Sequence, residues 1–135
     1  MFHSWAQSLG LLILRVSFGG LMLAGHGIDK LLNFSEKVKV FPDPIGLGAH
    51  VALGLATFAE FFCAVLLILG LGTRLASIPL IVTMLVAAVS IHGSDPWAKK
   101  ELAVAFLAAF TTILITGPGG FALDRFFFMG RRSKK

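Results

Sequence analysis

Arg15 and Glu60 each lie inside a long apolar run, while His26, Asp29, Lys30, His50, His92 and Glu101 lie where such runs begin or end. An ionisable side chain at membrane depth costs at least a few kcal/mol unless it is paired or hydrated, so the first two residues demand partners. With the first helix entering near Ala6, Arg15 lies about 13 Å from one boundary at 1.5 Å per residue. The second helix starts from the opposite face near Ala49, which puts Glu60 about 14 Å from that same boundary across a ~30 Å core. Equal depth predicts an intramembrane Arg15–Glu60 salt bridge tying the first two helices together. Such a pair is either structural or a place where protons or a ligand are handled.

The other cluster gathers where the first and third helices finish and the second and fourth begin. Arg15, Met22, His26 and Asp29 share one face of the first helix, which should look inward. Ala56, Glu60 and Ala64 on the second helix, and Glu101, Ala105, Ala108 and Thr112 on the fourth, are stripes of small or polar residues at helical spacing. Small residues let helices approach closely, so these stripes are also expected to face inward. No H-x-x-x-H or E-x-x-H spacing is present, so no metal site is assigned. Haem would need two inward histidines on facing helices, for which only His26 and His92 qualify. A quinone or other small lipid-soluble ligand, hydrogen-bonded by His26, His92 or Glu101, fits the same residues. A polar rim that merely closes the bundle against water is the plain alternative. Cys63, the single cysteine, forms no intramolecular disulfide and reads as a small buried hydrophobe.

The elements that must position these groups follow from composition. The chain has 135 residues, 56% hydrophobic and 14% charged, against roughly 45–50% apolar and 25% charged in a soluble domain. This pattern predicts an all-α membrane protein: one four-helix transmembrane domain over residues 1–135, with helices at about 5–28, 51–70, 74–92 and 100–116 and a basic C-terminal tail at 124–135. Pro79 should open or kink the third helix. Residues 30–49 should lie at the interface with one short amphipathic turn, and Gly117-Pro118-Gly119-Gly120 should end the fourth helix. Phe126-Phe127-Phe128 reads as a membrane-hugging segment. The first run carries no basic N-terminal region and no A-x-A-like site, so it reads as a retained helix.

Of 12 basic residues, six fall on the side of both termini (Arg74, Arg125, Arg131, Arg132, Lys134, Lys135) and five on the other (Lys30, Lys37, Lys39, Lys99, Lys100). The dense basic C-terminus directs an N-in, C-in topology, and the +5 net charge is topological rather than a nucleic-acid footprint.

Arg15, then Gly25-His26-Gly27-Ile28-Asp29-Lys30-Leu31, then Glu60, then Leu69-Gly70-Leu71-Gly72-Thr73-Arg74-Leu75-Ala76, His92, Glu101, Thr116-Gly117-Pro118-Gly119 and Leu123-Asp124-Arg125, resemble in order and spacing the DoxX family of four-helix membrane proteins. The resemblance spans about residues 11–125. It implies a multi-pass protein of the bacterial cytoplasmic (inner) membrane, from a family named for a subunit of a thiosulfate:quinone oxidoreductase and linked to thiol-redox complexes. The residues it singles out are Arg15, His26, Lys30, Glu60, Arg74, His92 and Glu101. The expectation is a redox-associated subunit, not a stand-alone enzyme, that binds a quinone-like ligand through His26, Lys30, His92 and Glu101 in an outer-face polar cavity. Its expected partners are the lipid bilayer, a redox protein and other copies of itself, with no nucleic acid. A small transporter and a ligand-free membrane scaffold are the alternatives, and fold alone does not choose among them.

Overall fold

The computed structural model describes residues 3–132, with backbone alone for 128–132. Lys134 and Lys135 of the expected basic tail, and the side chains of Phe128, Arg131 and Arg132, lie outside the described residues. The described residues form six helices joined by turns: α1 (Trp5–Leu32), α2 (Phe34–Lys37), α3 (Ala49–Leu69), α4 (Thr73–Ile91), α5 (Trp97–Thr116) and α6 (Leu123–Arg132). Among the described residues, α1, α3 and α4 are long and apolar enough to cross a membrane. α5 opens with Lys99, Lys100 and Glu101, leaving residues 102–116 as its uncharged length.

Each start and stop has a local cause. Ser4 and Gln7 form a capping box: the Ser4 hydroxyl accepts from the Gln7 N–H at 3.2 Å and the Gln7 side chain accepts from the Ser4 N–H at 2.8 Å. α2 is the short turn expected between the first two long helices. α4 runs through Pro79, its seventh residue, without interruption. Pro79 therefore does not open the helix, although it takes one donor from the ladder. α3 ends on Gly70 at φ 74°, a left-handed cap that glycine adopts without Cβ strain.

The helices pack as α1 on α3 and α4 on α5, with α4 also crossing the middle of α3. We call the end holding the start of α1 and the finish of α5 the proximal end, and the other the distal end. The buried core contains Cys63, Ala64, Leu67, Leu80, Phe106, Phe110 and Ile113. Many large apolar residues point outward instead, among them Ile13, Leu21, Phe58, Leu75, Val89 and Ile115. That inversion suits a protein whose solvent is lipid, since soluble monomers rarely expose contiguous apolar patches beyond a few hundred Å².

The stripe on α5 departs from expectation. Glu101, Ala105, Ala108 and Thr112 are exposed, and the face that enters the bundle is Ala103, Phe106, Ala109, Phe110 and Ile113. The aromatic face of α5 bridges to α1, where Phe106 meets Phe18 edge-on at 5.6 Å, and Phe106 stacks on Phe110 at 5.7 Å. Close approach occurs between α1 and α3, where Gly19 lies against Ile68 and the Ala64 carbonyl, and a Cβ on Gly27 would overlap the Glu60 carbonyl.

α1, α3 and α4 each carry one π-helical turn, at Leu23–Gly27, Phe58–Cys63 and Ala87–Ile91. The turns of α1 and α3 lie against one another. Such widened turns recur at functional sites.

The contact at Gly27 generates a test. Gly10→Ala has open space around it and should be neutral or stabilise by up to about 1 kcal/mol through helix propensity. Gly27→Ala should instead destabilise by about 1–3 kcal/mol, because α1 and α3 must part. Thermal unfolding of the two variants in the same detergent checks the opposite signs.

Candidate functional site

The expected Arg15–Glu60 bridge does not form. Arg15 is fully buried and one of its terminal nitrogens donates to the carbonyls of Leu67 and Ile68, both at 3.0 Å, while the other donates to the Phe121 carbonyl at 2.6 Å. Glu60 pairs with Lys30, whose Nζ lies 2.7 Å from Oε2. The reason is helix register. On α3 the Glu60 backbone lies against Gly27 and the Ala64–Ile68 turn against Gly19, so Glu60 sits level with a point twelve residues along α1 from Arg15, roughly 18 Å at 1.5 Å per residue. Leaning of each side chain toward the start of its own helix widens the separation, and Lys30 is the cation within reach of Glu60.

Arg15 therefore belongs to a proximal knot rather than to a ligand site. Beside it, Asp124 accepts from the backbone N–H of Gly72 at 2.7 Å and from the N–H and hydroxyl of Thr73, both at 3.1 Å. It thereby caps α4 from across the fold, and its own N–H donates to the Gly70 carbonyl at 2.8 Å. Arg74 donates to the Ile115 carbonyl at 3.3 Å, joining the start of α4 to the end of α5.

The distal end holds a cavity of about 290 Å³. Its walls include Met22, His26 and Lys30 of α1, Ala56 and Glu60 of α3, Val82 and Ala87 of α4, His92 just beyond it, and Lys99, Leu102 and Phe106 of α5. Phe41, Pro44, Ile45 and Leu47 of the α2–α3 connection also line it. That connection is shaped by Asp43, whose carboxylate accepts from the N–H groups of Leu47 and Gly48 at 2.8 Å each.

The polar groups on this mostly apolar wall are few. The Lys30 and Glu60 side chains are 15% and 6% exposed, and their contact is an ion pair without hydrogen-bond alignment, so the buried Oε2 accepts no hydrogen bond. His26 sits edge-on to Phe106 at 6.2 Å, and neither ring nitrogen has a hydrogen-bond partner among the described residues. His92 Nδ1 lies 2.8 Å from Asp95 Oδ2. The hydrogen bond from His92, reinforced by the charges of Lys99 and Lys100, holds the Asp95 carboxyl below the usual carboxylate range despite some desolvation. Asp95 is then ionised and can only accept, so Nδ1 carries the proton in this pair.

Of the four residues expected to touch a ligand, His26, Lys30 and His92 converge on the cavity and Glu101 does not, being exposed on the outward face of α5. Asp29 and His50 are also exposed and outside its lining, with Asp29 held by Lys37 at 2.6 Å and by Asn33 at 2.7 Å. Lys99 and the connection from Phe41 to Leu47 were not singled out from sequence. Among the described residues no group of three or more His, Cys, Asp or Glu is placed to hold a metal ion.

Residues 10–93 match the DoxX family. The chain belongs to the DoxX family. It is 28% identical over 126 residues to the Bacillus subtilis (strain 168) protein named "Putative oxidoreductase CatD", covering 93% of this chain and 92% of that one. It is 30% identical over 129 residues to "Uncharacterized membrane protein Rv3486" of Mycobacterium tuberculosis (strain ATCC 25618 / H37Rv), covering 78% of this chain and 74% of that one. No solved structure matches it. As a DoxX protein with several candidate spans, it is a membrane protein in contact with the lipid bilayer. The matched region divides between the two ends: Arg15 and Arg74 lie in the proximal knot, and His26, Lys30, Glu60 and His92 line the distal cavity.

The Lys30–Glu60 pair can be separated from its surroundings. Lys30→Met should destabilise by about 3–5 kcal/mol, because it strands a buried carboxylate. Lys30→Met combined with Glu60→Leu should recover most of that loss. Thermal unfolding of the single and double variants reads the coupling, and a double variant no better than the single one means that the pair is not what holds Glu60 there.

Proposed function

We propose that this DoxX protein is a redox-associated subunit of the bacterial cytoplasmic membrane whose distal cavity binds a quinone-like ligand. The observation that carries the reading is a small set of polar groups on an apolar wall: the ammonium of Lys30 and the imidazoles of His26 and His92 border a volume sized for a small ring. The His26 ring, without a hydrogen-bond partner among the described residues, is a polar group left for something else to satisfy, so the residues fit the group. When bound, a quinone supplies interconversion between ring carbonyls and hydroxyls with transfer of electrons and protons. His26 and Lys30 would hold one ring oxygen, His92 the other, and Phe106 with Met22 would pack on the ring. Glu60 keeps Lys30 in place. The name of the Bacillus subtilis relative agrees with a redox association.

Permeation is less well supported. Between Glu60 and the Arg15 knot the buried core includes Cys63, Leu67, Leu80, Phe110 and Ile113, and the buried Ser77 hydroxyl donates to the Thr73 carbonyl of its own helix at 2.8 Å.

For the bilayer arrangement we take α5 as a fourth span, with both ends of the bundle's chain on the cytoplasmic side and the cavity opening outward. α5 packs along α4, and the basic residues lean to the proximal side. Cysteines placed at Ser94 and at Gly119 in a Cys63→Ser background should differ in intact cells: only the first should react with a membrane-impermeant maleimide. The reverse pattern inverts the topology.

The ligand reading is tested by equilibrium dialysis of a short-chain benzoquinone against the protein in lipid nanodiscs. One saturable site is expected, weakened about tenfold in His26→Phe through loss of a hydrogen bond, and unchanged in Glu101→Gln. Absence of saturable binding overturns the reading.

A further inference from the structure

The fixed proton of the His92–Asp95 pair gives the cavity a direction. Asp95 accepts from Nδ1, so in a neutral imidazole Nε2 carries the lone pair and no hydrogen. Nε2 has no partner among the described residues, and His92 lines the cavity with its side chain 36% exposed. The pair is held in register by the turn that contains it: the Asp95 N–H donates to the His92 carbonyl at 3.1 Å, and Lys100 donates to the Gly93 carbonyl at 3.0 Å.

The lysines on the wall have the opposite character. Lys30 offers only donors, and Glu60 is engaged with it. Lys99, also on the wall, can only donate. His26 has no hydrogen-bond partner to fix its tautomer, so it can adapt to either kind of oxygen. Neutral His92 is thus the fixed acceptor among the ionisable side chains of the wall; the Thr83 hydroxyl, whose proton goes to the Pro79 carbonyl at 2.8 Å, is a second neutral acceptor, on α4.

We infer that the His92–Asp95 pair makes the cavity select its ligand by oxidation state, preferring the hydroxylated, reduced ring to the dicarbonyl, oxidised ring. This rests on the quinone-site reading. A ring hydroxyl can donate to Nε2 while Lys30 or His26 donates to the oxygen at the far side of the ring. A ring carbonyl at the same place would face the lone pair with its own, which leaves both acceptors unsatisfied. Protonation of His92 turns Nε2 into a donor and reverses the preference. The charged and titratable groups around His92 are Asp95 on its own turn, Lys99 and Lys100 from α5, and, sharing the cavity wall, His26 and Lys30 from α1 and Glu60 from α3.

The test uses the intact protein in nanodiscs with a matched pair of probes, decyl-benzoquinone and decyl-hydroquinone, the second kept reduced under argon. Dissociation constants are measured by dialysis at about pH 5 and about pH 9, on either side of ordinary imidazole titration. The hydroquinone should bind about tenfold more tightly than the quinone at the higher pH, with the order reversed at the lower one. Asp95→Asn can donate to Nδ1 and so release the tautomer, and it should shrink the preference toward unity without abolishing binding. His92→Gln should remove the pH dependence. Equal affinity of the two probes at both pH values, with saturable binding intact, overturns the selection while leaving the quinone site standing. Saturable binding of neither probe overturns both.

Discussion

A buried charge needs a partner that its own backbone direction lets it reach, and the rest of this bundle is arranged around that constraint. α1 carries two cations, Arg15 and Lys30, both leaning toward its start. The first lands among the last carbonyls of α3, where free backbone acceptors concentrate and the helix dipole is negative. The second lands on Glu60, half a helix away. The close α1–α3 contact at Gly19 and Gly27 is what brings both within reach.

The two ends consequently do different work. The proximal end is tied by hydrogen bonds among chain segments: Arg15 to α3 and to Phe121, Asp124 to the start of α4, Arg74 to the end of α5. The distal end is looser. The Ala49–Thr57 half of α3 leans toward Ile28–Leu32 rather than onto α4, and the volume left over is the cavity. A rigid base and an open top are the usual arrangement for a site that must admit a ligand without unravelling its scaffold.

Much of this was legible in the sequence. The four long helices follow from long apolar runs, and Arg15 and Glu60 announced themselves as charges in the wrong solvent. His26, Lys30 and His92 were placed at the same end by helix direction alone. The pairing was not legible, because the depth estimate set both helix ends at the membrane boundaries, whereas packing sets Glu60 against Gly27, twelve residues along α1 from Arg15. Glu101 was assigned to the site on the assumption that small residues face inward. The larger aromatic face of α5, Phe106 and Phe110, is the one that is buried, and the stripe carrying Glu101 is left outside. The cap from Asp124 to Gly72 and Thr73 joins residues about fifty positions apart, beyond any local capping pattern. The π turns have no composition signal, since the extra residue in each is fixed by packing between helices.

The cap on α4 also orders events in time. Gly72 and Thr73 are made long before Asp124, and the carbonyl of Phe121 that receives Arg15 comes just as late. During synthesis the first helices can partition into lipid on hydropathy alone, but the start of α4 keeps unsatisfied donors and Arg15 lacks one of its three acceptors until the last helix begins to emerge. Insertion and closure are therefore separate steps, and the segment after α5 works as a latch on a bundle that is already in the membrane.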